Sequence, residues 1–338
     1  SYNGIERRLI EAASIPYDGI SSGKLRRYFD LKNFSDPLRV LKGYFEARKL
    51  MKKYKPDIVF SKGGFVAVPV VAAKHYKVPV IIHESDMTPG LANKICIPAA
   101  SMVCCNFPET LKYLPEDKAV LTGSPIREEL LHGDRLAGLQ YTHLSADRPG
   151  LSYAHLTEDK PVLLIIGGSL GSVAVNTAVR KILPQLLNTF QVIHICGKGN
   201  LDESLIGTEG YVQYEYVDKP LRHLFAAADL IISRAGANSI CDILALRKPN
   251  ILIPLSAAAS RGDQILNAES FKKSGYSYVI KEGFSTVLEE EVLTADTLSQ
   301  AIEETYKNRQ QFIDKMSESH LNNAVKTIMG LIHDCTRS

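Results

Sequence analysis

Pro161-Val-Leu-Leu-Ile-Ile-Gly-Gly-Ser-Leu-Gly-Ser-Val-Ala-Val-Asn176 reads as a short apolar strand that ends in glycines and then opens a helix. Such a turn leaves backbone N–H groups and the positive end of a helix facing outward, where an anion is held with no side chain in between. A phosphorylated ligand is one reading of Gly167, Gly168 and Gly171, and a glycine turn that serves packing alone is the other. The spacing Gly-Gly-x-x-Gly departs from the dinucleotide fingerprint Gly-x-Gly-x-x-Gly. That fingerprint also requires an acid about 20 residues on to hold a ribose, and no Asp or Glu occurs between Ser172 and Leu201. NAD is disfavoured.

Outward from this stretch, β-rich runs alternate with helical patterns, which predicts parallel sheets covered by helices. Strands are expected over 57–60 and 78–83 around a helix over 66–76, and again over 162–166, 191–196, 230–233 and 250–253. The expected class is α/β with two Rossmann-like halves. At 338 residues the chain exceeds what one core accommodates. Domains are expected over 1–132 and 161–316, joined by 133–160, with a C-terminal helix over 317–338 returning to the first.

Six cysteines, at 96, 104, 105, 196, 241 and 335, form no Cys-x-x-Cys pair, so neither a disulfide framework nor a zinc site is expected. No apolar run approaches the roughly 18 residues of a membrane span, and no signal-peptide pattern opens the chain. A cytoplasmic location follows as an expectation. The chain starts Ser1-Tyr2-Asn3, without Met and just where a first strand would have ended, so either its natural start is omitted or the protein lacks that first segment.

Charge is uneven. Residues 24–55 hold eleven Lys or Arg against Asp30, Asp36 and Glu46, a local excess of +8 in a chain whose net charge is +3. Aromatic and aliphatic residues interleave with them, among them Tyr28, Phe29, Leu38, Leu41 and Phe45. An anionic membrane surface or a nucleic acid suits such a face, and so does a solvated helix whose apolar half packs inward. Residues 138–149 are followed at once by a near copy at 150–161, identical at seven of twelve positions. Two copies of so short a period make a tandem duplication in a connection, not a solenoid. His143 and His155 pair only because the segment was copied.

Six motifs then stand in order: Phe60-Ser-Lys-Gly-Gly-Phe-Val66, His83-Glu-Ser-Asp-Met-Thr-Pro-Gly-Leu-Ala-Asn-Lys94, Thr122-Gly-Ser-Pro-Ile-Arg127, Ile166-Gly-Gly-Ser-Leu-Gly171, Ser233-Arg-Ala-Gly-Ala-Asn-Ser239 and Ser260-Arg-Gly-Asp-Gln-Ile-Leu-Asn-Ala268. Together they resemble the bacterial peptidoglycan N-acetylglucosaminyltransferases of the MurG family, over nearly the whole chain apart from the duplication. The resemblance implies the GT-B architecture, with two Rossmann-like domains facing a cleft. It also implies inverting, metal-independent transfer of N-acetylglucosamine from UDP-GlcNAc to lipid I, giving lipid II.

On the donor side the resemblance implies that Gly167, Gly168, Ser169 and Gly171 hold the UDP diphosphate and that Arg127 reaches the same phosphates. It assigns Ala237, Asn238, Ser239 and Asp242 to ribose and sugar contacts, with Asp242 where the family more often has Glu. Asp263 and Gln264 match the pair that reads the GlcNAc hydroxyls, and Tyr216 and Val217 match a backbone contact to uracil. On the acceptor side Gly63 and Gly64 match a loop that cradles the lipid pyrophosphate. His83, Glu84 and Asp86 match a His-Glu-x-Asn segment, Asp86 replacing the commoner Asn. No Asp-x-Asp occurs anywhere, so no metal or other cofactor is expected, and a helix end and an arginine carry the leaving charge.

The family's first glycine loop, which ends in a candidate base His, has no counterpart here, and His83 or Glu84 are the remaining candidates for the base. The chain as numbered is therefore expected to bind donor and transfer slowly. Implied partners are an anionic inner-membrane surface, on its cytoplasmic face, and proteins of cell-wall synthesis or division, with no nucleic acid. Another GT-B nucleotide-sugar enzyme, such as an epimerase, or a non-catalytic UDP-GlcNAc-binding relative, stay open at this point.

Overall fold

The computed structural model describes residues 2, 5–21, 36–64, 68–143, 156–168, 171–257, 262–283 and 292–337. Ser169, Arg261, residues 144–155 of the duplicated segment with His155, and the 24–35 part of the basic stretch lie outside them. The chain forms two compact units, 1–123 with 323–338, and 124–322. Both are parallel α/β layers.

In the first unit β1 (Val59–Ser61), β2 (Val80–Glu84), β3 (Met102–Cys105) and β4 (Ala119–Leu121) lie side by side in chain order, every pair parallel. β2 is buried at all five positions, as a central strand covered on both faces must be. Side chains alternate between those faces. Val80 and Ile82 point into a core with Ala47 and Met51 of the helix Asp36–Tyr54 and Ala72 and Ala73 of the helix Val68–His75. Ile81 and, beside it, Cys104 meet Ile328 of the C-terminal helix Ala324–Arg337.

The second unit holds β5 (Val162–Ile166), β6 (Gln191–Ile195), β7 (Tyr211–Tyr214), β8 (Leu230–Ser233), β9 (Asn250–Leu252) and β10 (Tyr278–Val279). Their order across the sheet is β10-β9-β8-β5-β6-β7, all parallel. Counted within the unit this is the doubly wound order 3-2-1-4-5-6, whose strand order reverses between its first and fourth strands, here β5 and β8. Helices Val173–Thr189 and Ala295–Lys307 cover one face through Val179, Leu183, Leu298 and Ile302. Helices Leu221–Ala227 and Ala237–Leu246 contribute Leu224, Phe225 and Ile243 to the other.

β5 and β8 match the sequence expectation residue for residue, while β1 and β2 begin two residues later than expected. Strands β3, β4 and β10, two to four residues long, are not among the strands expected from the sequence. The segment expected as a connection opens with the helix Arg135–His143, which belongs to the second unit. Arg135 there donates to Ala227 O at 2.6 Å and forks onto both carboxylate oxygens of Asp229 at 3.2 and 3.0 Å.

Candidate functional site

In a doubly wound sheet a ligand finds room where neighbouring loops diverge, at the carboxyl ends of the strands on either side of the switch point. Those loops are Gly167–Ser172 after β5 and Arg234–Gly236 after β8. Gly168 has φ +89° and open space where a Cβ would stand, so it turns the chain and leaves an approach to the backbone. Gly171 is there for another reason, because a Cβ would strike the carbonyl of Cys196. Ser172 then caps the helix Val173–Thr189, its hydroxyl accepting from Val175 N at 3.2 Å.

Arg234 supports this turn from behind. Its guanidinium, 7% exposed, donates to Ser172 Oγ at 2.5 Å and Ile253 O at 3.0 Å, and forks onto Glu282 at 2.8 and 3.1 Å. The loop after β8 is also held by Asn267, whose amide donates to Ala235 O at 3.1 Å. The helix Ala237–Leu246 starts behind Gly236 with no side-chain cap, so a second set of helix N–H groups is presented beside the first. Ala237 and Ser239 are half-buried and Asn238 is exposed.

Asp242 lies further along that helix. It is half-buried, and among the described residues no group hydrogen-bonds to it. Burial pushes its carboxyl up to about 6, against the pull of the nearby Arg127 guanidinium. Arg127 itself is exposed and sits 3.5 Å from Glu129, at the start of the short helix Glu128–Leu131. A partly desolvated carboxylate beside an exposed cation suits a ligand that brings hydroxyl donors to the one and phosphate to the other.

The remaining donor-side candidates divide. Tyr216 is exposed just past β7 whereas Val217 packs in the core, so of this pair only main-chain atoms and the tyrosine ring are open to a ligand. Asp263 opens the helix Asp263–Lys273 behind Gly262. Gln264 spends its Oε1 on Leu255 N at 3.1 Å, leaving its NH₂ as the donor.

At the carboxyl edge of the first unit, Gly63 and Gly64 follow β1 with φ +85° and +88°. His83 and Glu84 end β2, both buried. His83 Nε2 hydrogen-bonds to Gly123 O at 2.9 Å and its Nδ1 lies 3.0 Å from Lys62 Nζ, which also donates to Ser85 Oγ at 2.9 Å. A carbonyl can only accept, so Nε2 carries the proton and Nδ1 accepts from the ammonium. Burial, and then Lys62, hold His83 down to about 4. Glu84 accepts from Asp86 N, Gly90 N and Asn93 Nδ2 at 2.9, 3.0 and 2.8 Å. Asp86 is exposed. Neither expected base presents a basic atom to solvent in this arrangement: the imidazole lone pair is committed to a cation, and both carboxylate oxygens hold the loop that follows.

Two side chains gain importance that residue-type reasoning did not give them. Lys62 was visible only as the neighbour of Gly63, and Arg234 only as part of a loop motif. Their partners are remote in the chain, and no spacing rule connects them.

The glycosyltransferase family 28 C-terminal domain matches residues 162–331 and the family 28 N-terminal domain matches 1–104. A UDP-N-acetylglucosamine--N-acetylmuramyl-(pentapeptide) pyrophosphoryl-undecaprenol N-acetylglucosamine transferase from Lachnoclostridium phytofermentans is 62% identical, covering 99% of this chain and 89% of the relative. The enzyme of the same name from Clostridium novyi is 57% identical over 98% and 87%. Among solved structures, MurG of Acinetobacter baumannii superposes with TM-score 0.69 at 25% identity over 98% of this chain and 89% of that one. A UDP-GlcNAc 2-epimerase from Neisseria meningitidis shares the fold, with TM-score 0.62 at 12% identity over 98% and 88%.

Proposed function

The chain belongs to glycosyltransferase family 28, among its UDP-N-acetylglucosamine--N-acetylmuramyl-(pentapeptide) pyrophosphoryl-undecaprenol N-acetylglucosamine transferases, and from that premise we propose how its residues perform the transfer. It is a hexosyltransferase of GT-B fold. The donor is UDP-GlcNAc, the acceptor lipid I and the product lipid II. The observation that carries the reading is the switch-point turn of the second unit, where Gly168 leaves the backbone open to a diphosphate between two helix N-termini.

In this reading the diphosphate lies on the N–H groups of Gly167–Ser172, with Arg127 neutralising the charge that builds as UDP leaves. Asp242 accepts from the ribose hydroxyls, and Asp263 with the Gln264 NH₂ reads the sugar. Asn238 and Ser239 line the same turn, and the backbone at Tyr216 and Val217 faces uracil. The helix dipoles and the arginine supply the positive field that a metal gives other transferases. In the first unit Gly63 and Gly64 receive the acceptor diphosphate, and the muramyl hydroxyl gives its proton to a base as it attacks the anomeric carbon from the face opposite UDP, breaking the bond to UDP and inverting the centre. Glu84 and Asn93 fix the loop carrying Asp86.

The acceptor's lipid places the enzyme at a membrane, and no helix among the described residues is long and apolar enough to cross one. The helix Asp36–Tyr54 instead exposes Leu38, Leu41 and Phe45, at 69, 53 and 52%, beside Lys42 and Lys49. This mixed face suits peripheral attachment to anionic lipid on the cytoplasmic side. The epimerase alternative has only the shared fold in its favour. Incubation with UDP-GlcNAc and a lipid I analogue should release UDP and form the disaccharide product with chelator present. UDP-GlcNAc turned over to an epimer, or bound with no acceptor glycosylated, refutes the reading.

A further inference from the structure

Lys62 is exposed, yet its ammonium is planted on the side chains of a buried histidine and of Ser85. An exposed lysine ordinarily keeps its head in water and its rotamers free. Here the fold fixes the cation at the carboxyl edge of its sheet, next to two glycines of positive φ. His83 is suited to hold it and little else: its Nε2–H is tied to Gly123 O, which aims the Nδ1 lone pair at Lys62. Glu84, the nearest buried carboxylate in sequence, accepts from three N–H donors of the loop that follows. The site thus pairs a fixed cation with exposed glycine backbone, a combination that recognises phosphate oxygens.

We infer that Lys62 is a binding residue for the anionic diphosphate of the acceptor, and that His83 is its positioning residue, serving as a neutral hydrogen-bond acceptor and not as the base. The inference rests on the acceptor reading above and adds to it a side chain and a role that the glycine loop alone does not provide.

The test uses the full chain with Lys62→Met, Lys62→Arg and His83→Gln, assayed with a soluble lipid I analogue that carries the diphosphate. Lys62→Met should raise the acceptor KM at least tenfold while donor KM and UDP affinity stay within twofold, and Lys62→Arg should recover most of the loss. His83→Gln, which keeps an oxygen acceptor, should act on the acceptor KM and leave the acid limb of the kcat profile in place. An unchanged acceptor KM in Lys62→Met overturns the inference. So do equal rises in both KM values with a lowered melting temperature, the mark of a purely structural lysine. Loss of the acid limb in His83→Gln makes the histidine the base and overturns its assigned role. If the wild-type chain does not transfer, the function reading fails, and calorimetric binding of the same analogue to wild type and Lys62→Met still decides the role of Lys62.

Discussion

Arg234, at the end of β8, donates to the hydroxyl of Ser172, which caps the helix after β5, so one guanidinium joins the two loops at the switch point. Its other contacts, with Ile253 O and the Glu282 carboxylate, tie the ends of β9 and β10 to the same point. The phosphate turn is therefore braced by three neighbouring loops as well as by its own glycines.

Replacing Arg234 by Met should cost stability and UDP affinity together. Hydrogen bonds to charged groups are worth about 1.5–3 kcal/mol, and Glu282 would be left half-buried without its fork. Each kcal/mol moves the melting midpoint by about 2–4 °C in a domain of this size. Arg234→Lys should recover only part, since an ammonium cannot fork. A Met variant that melts and binds UDP like wild type would remove the brace.

The two glycines of the turn should fail differently. A Cβ at Gly168 meets no protein atom, so beyond roughly 1–2 kcal/mol of backbone strain Gly168→Val should fold and lose UDP, its branch filling the diphosphate's place. Gly171→Ala should unfold or distort the unit, because its methyl meets the Cys196 carbonyl. Calorimetry with UDP and circular dichroism separate the cases, and undiminished UDP affinity in Gly168→Val would end the phosphate-loop assignment.

Donor affinity should depend on pH through Asp242. Burial raises its carboxyl to about 6, and the ionised form accepts more strongly from hydroxyls than the neutral acid, so donor KM should rise as pH falls through about 6. Arg127→Ala removes the cation that lowers this value, so the rise should begin at higher pH, together with a loss of about 1.5–3 kcal/mol in UDP binding. Asp242→Asn should flatten the dependence. A donor KM that is level from about pH 5 to 8 in the wild type contradicts the role of Asp242.

Acid should weaken the fold through two histidines held neutral by burial. His83 is lowered to about 4 and His194 to about 3, in both cases chiefly by desolvation and then by a nearby cation, Lys62 or Arg180. His194 bridges Asn176 Oδ1 and Tyr211 OH, each at 2.9 Å. Because the unfolded chain takes up protons below about 6.5 and the folded one does not, stability present above that pH is lost as pH falls toward the folded values. Each histidine adds a slope of up to about 1.4 kcal/mol per pH unit. Urea unfolding at several pH values checks this, and a His194→Gln variant should show a shallower decline. An equal slope in both proteins counts against it.

Attachment to membranes should follow the exposed face of the helix Asp36–Tyr54. Leu41→Glu with Phe45→Glu should abolish co-sedimentation with vesicles containing anionic lipid and leave UDP binding intact. Salt should weaken the wild-type association, since charges are screened beyond about 10 Å at 0.1 M. Equal partitioning onto neutral and anionic vesicles would show the basic residues to be a solvated face only.

The sequence by itself determined the layers and the anion turn. The runs Val162–Ile166 and Leu230–Ser233 are long enough, and apolar enough, to be strands wherever they pack, and glycines directly after a strand force a turn into the following helix. These are local properties, carried by residues within a few positions of one another. What only the tertiary structure decided is which strands flank the switch point and what each polar side chain touches. Arg234 and Ser172 are 62 residues apart, Arg234 and Glu282 48, and Lys62 and His83 21. The same holds for the elevated carboxyl of Asp242 and for the hydrogen-bond partners that His83 and Glu84 take up. Hydrogen-bond pairing and desolvation depend on what packing brings against a group, and nothing in the spacing of residue types along a chain encodes that directly.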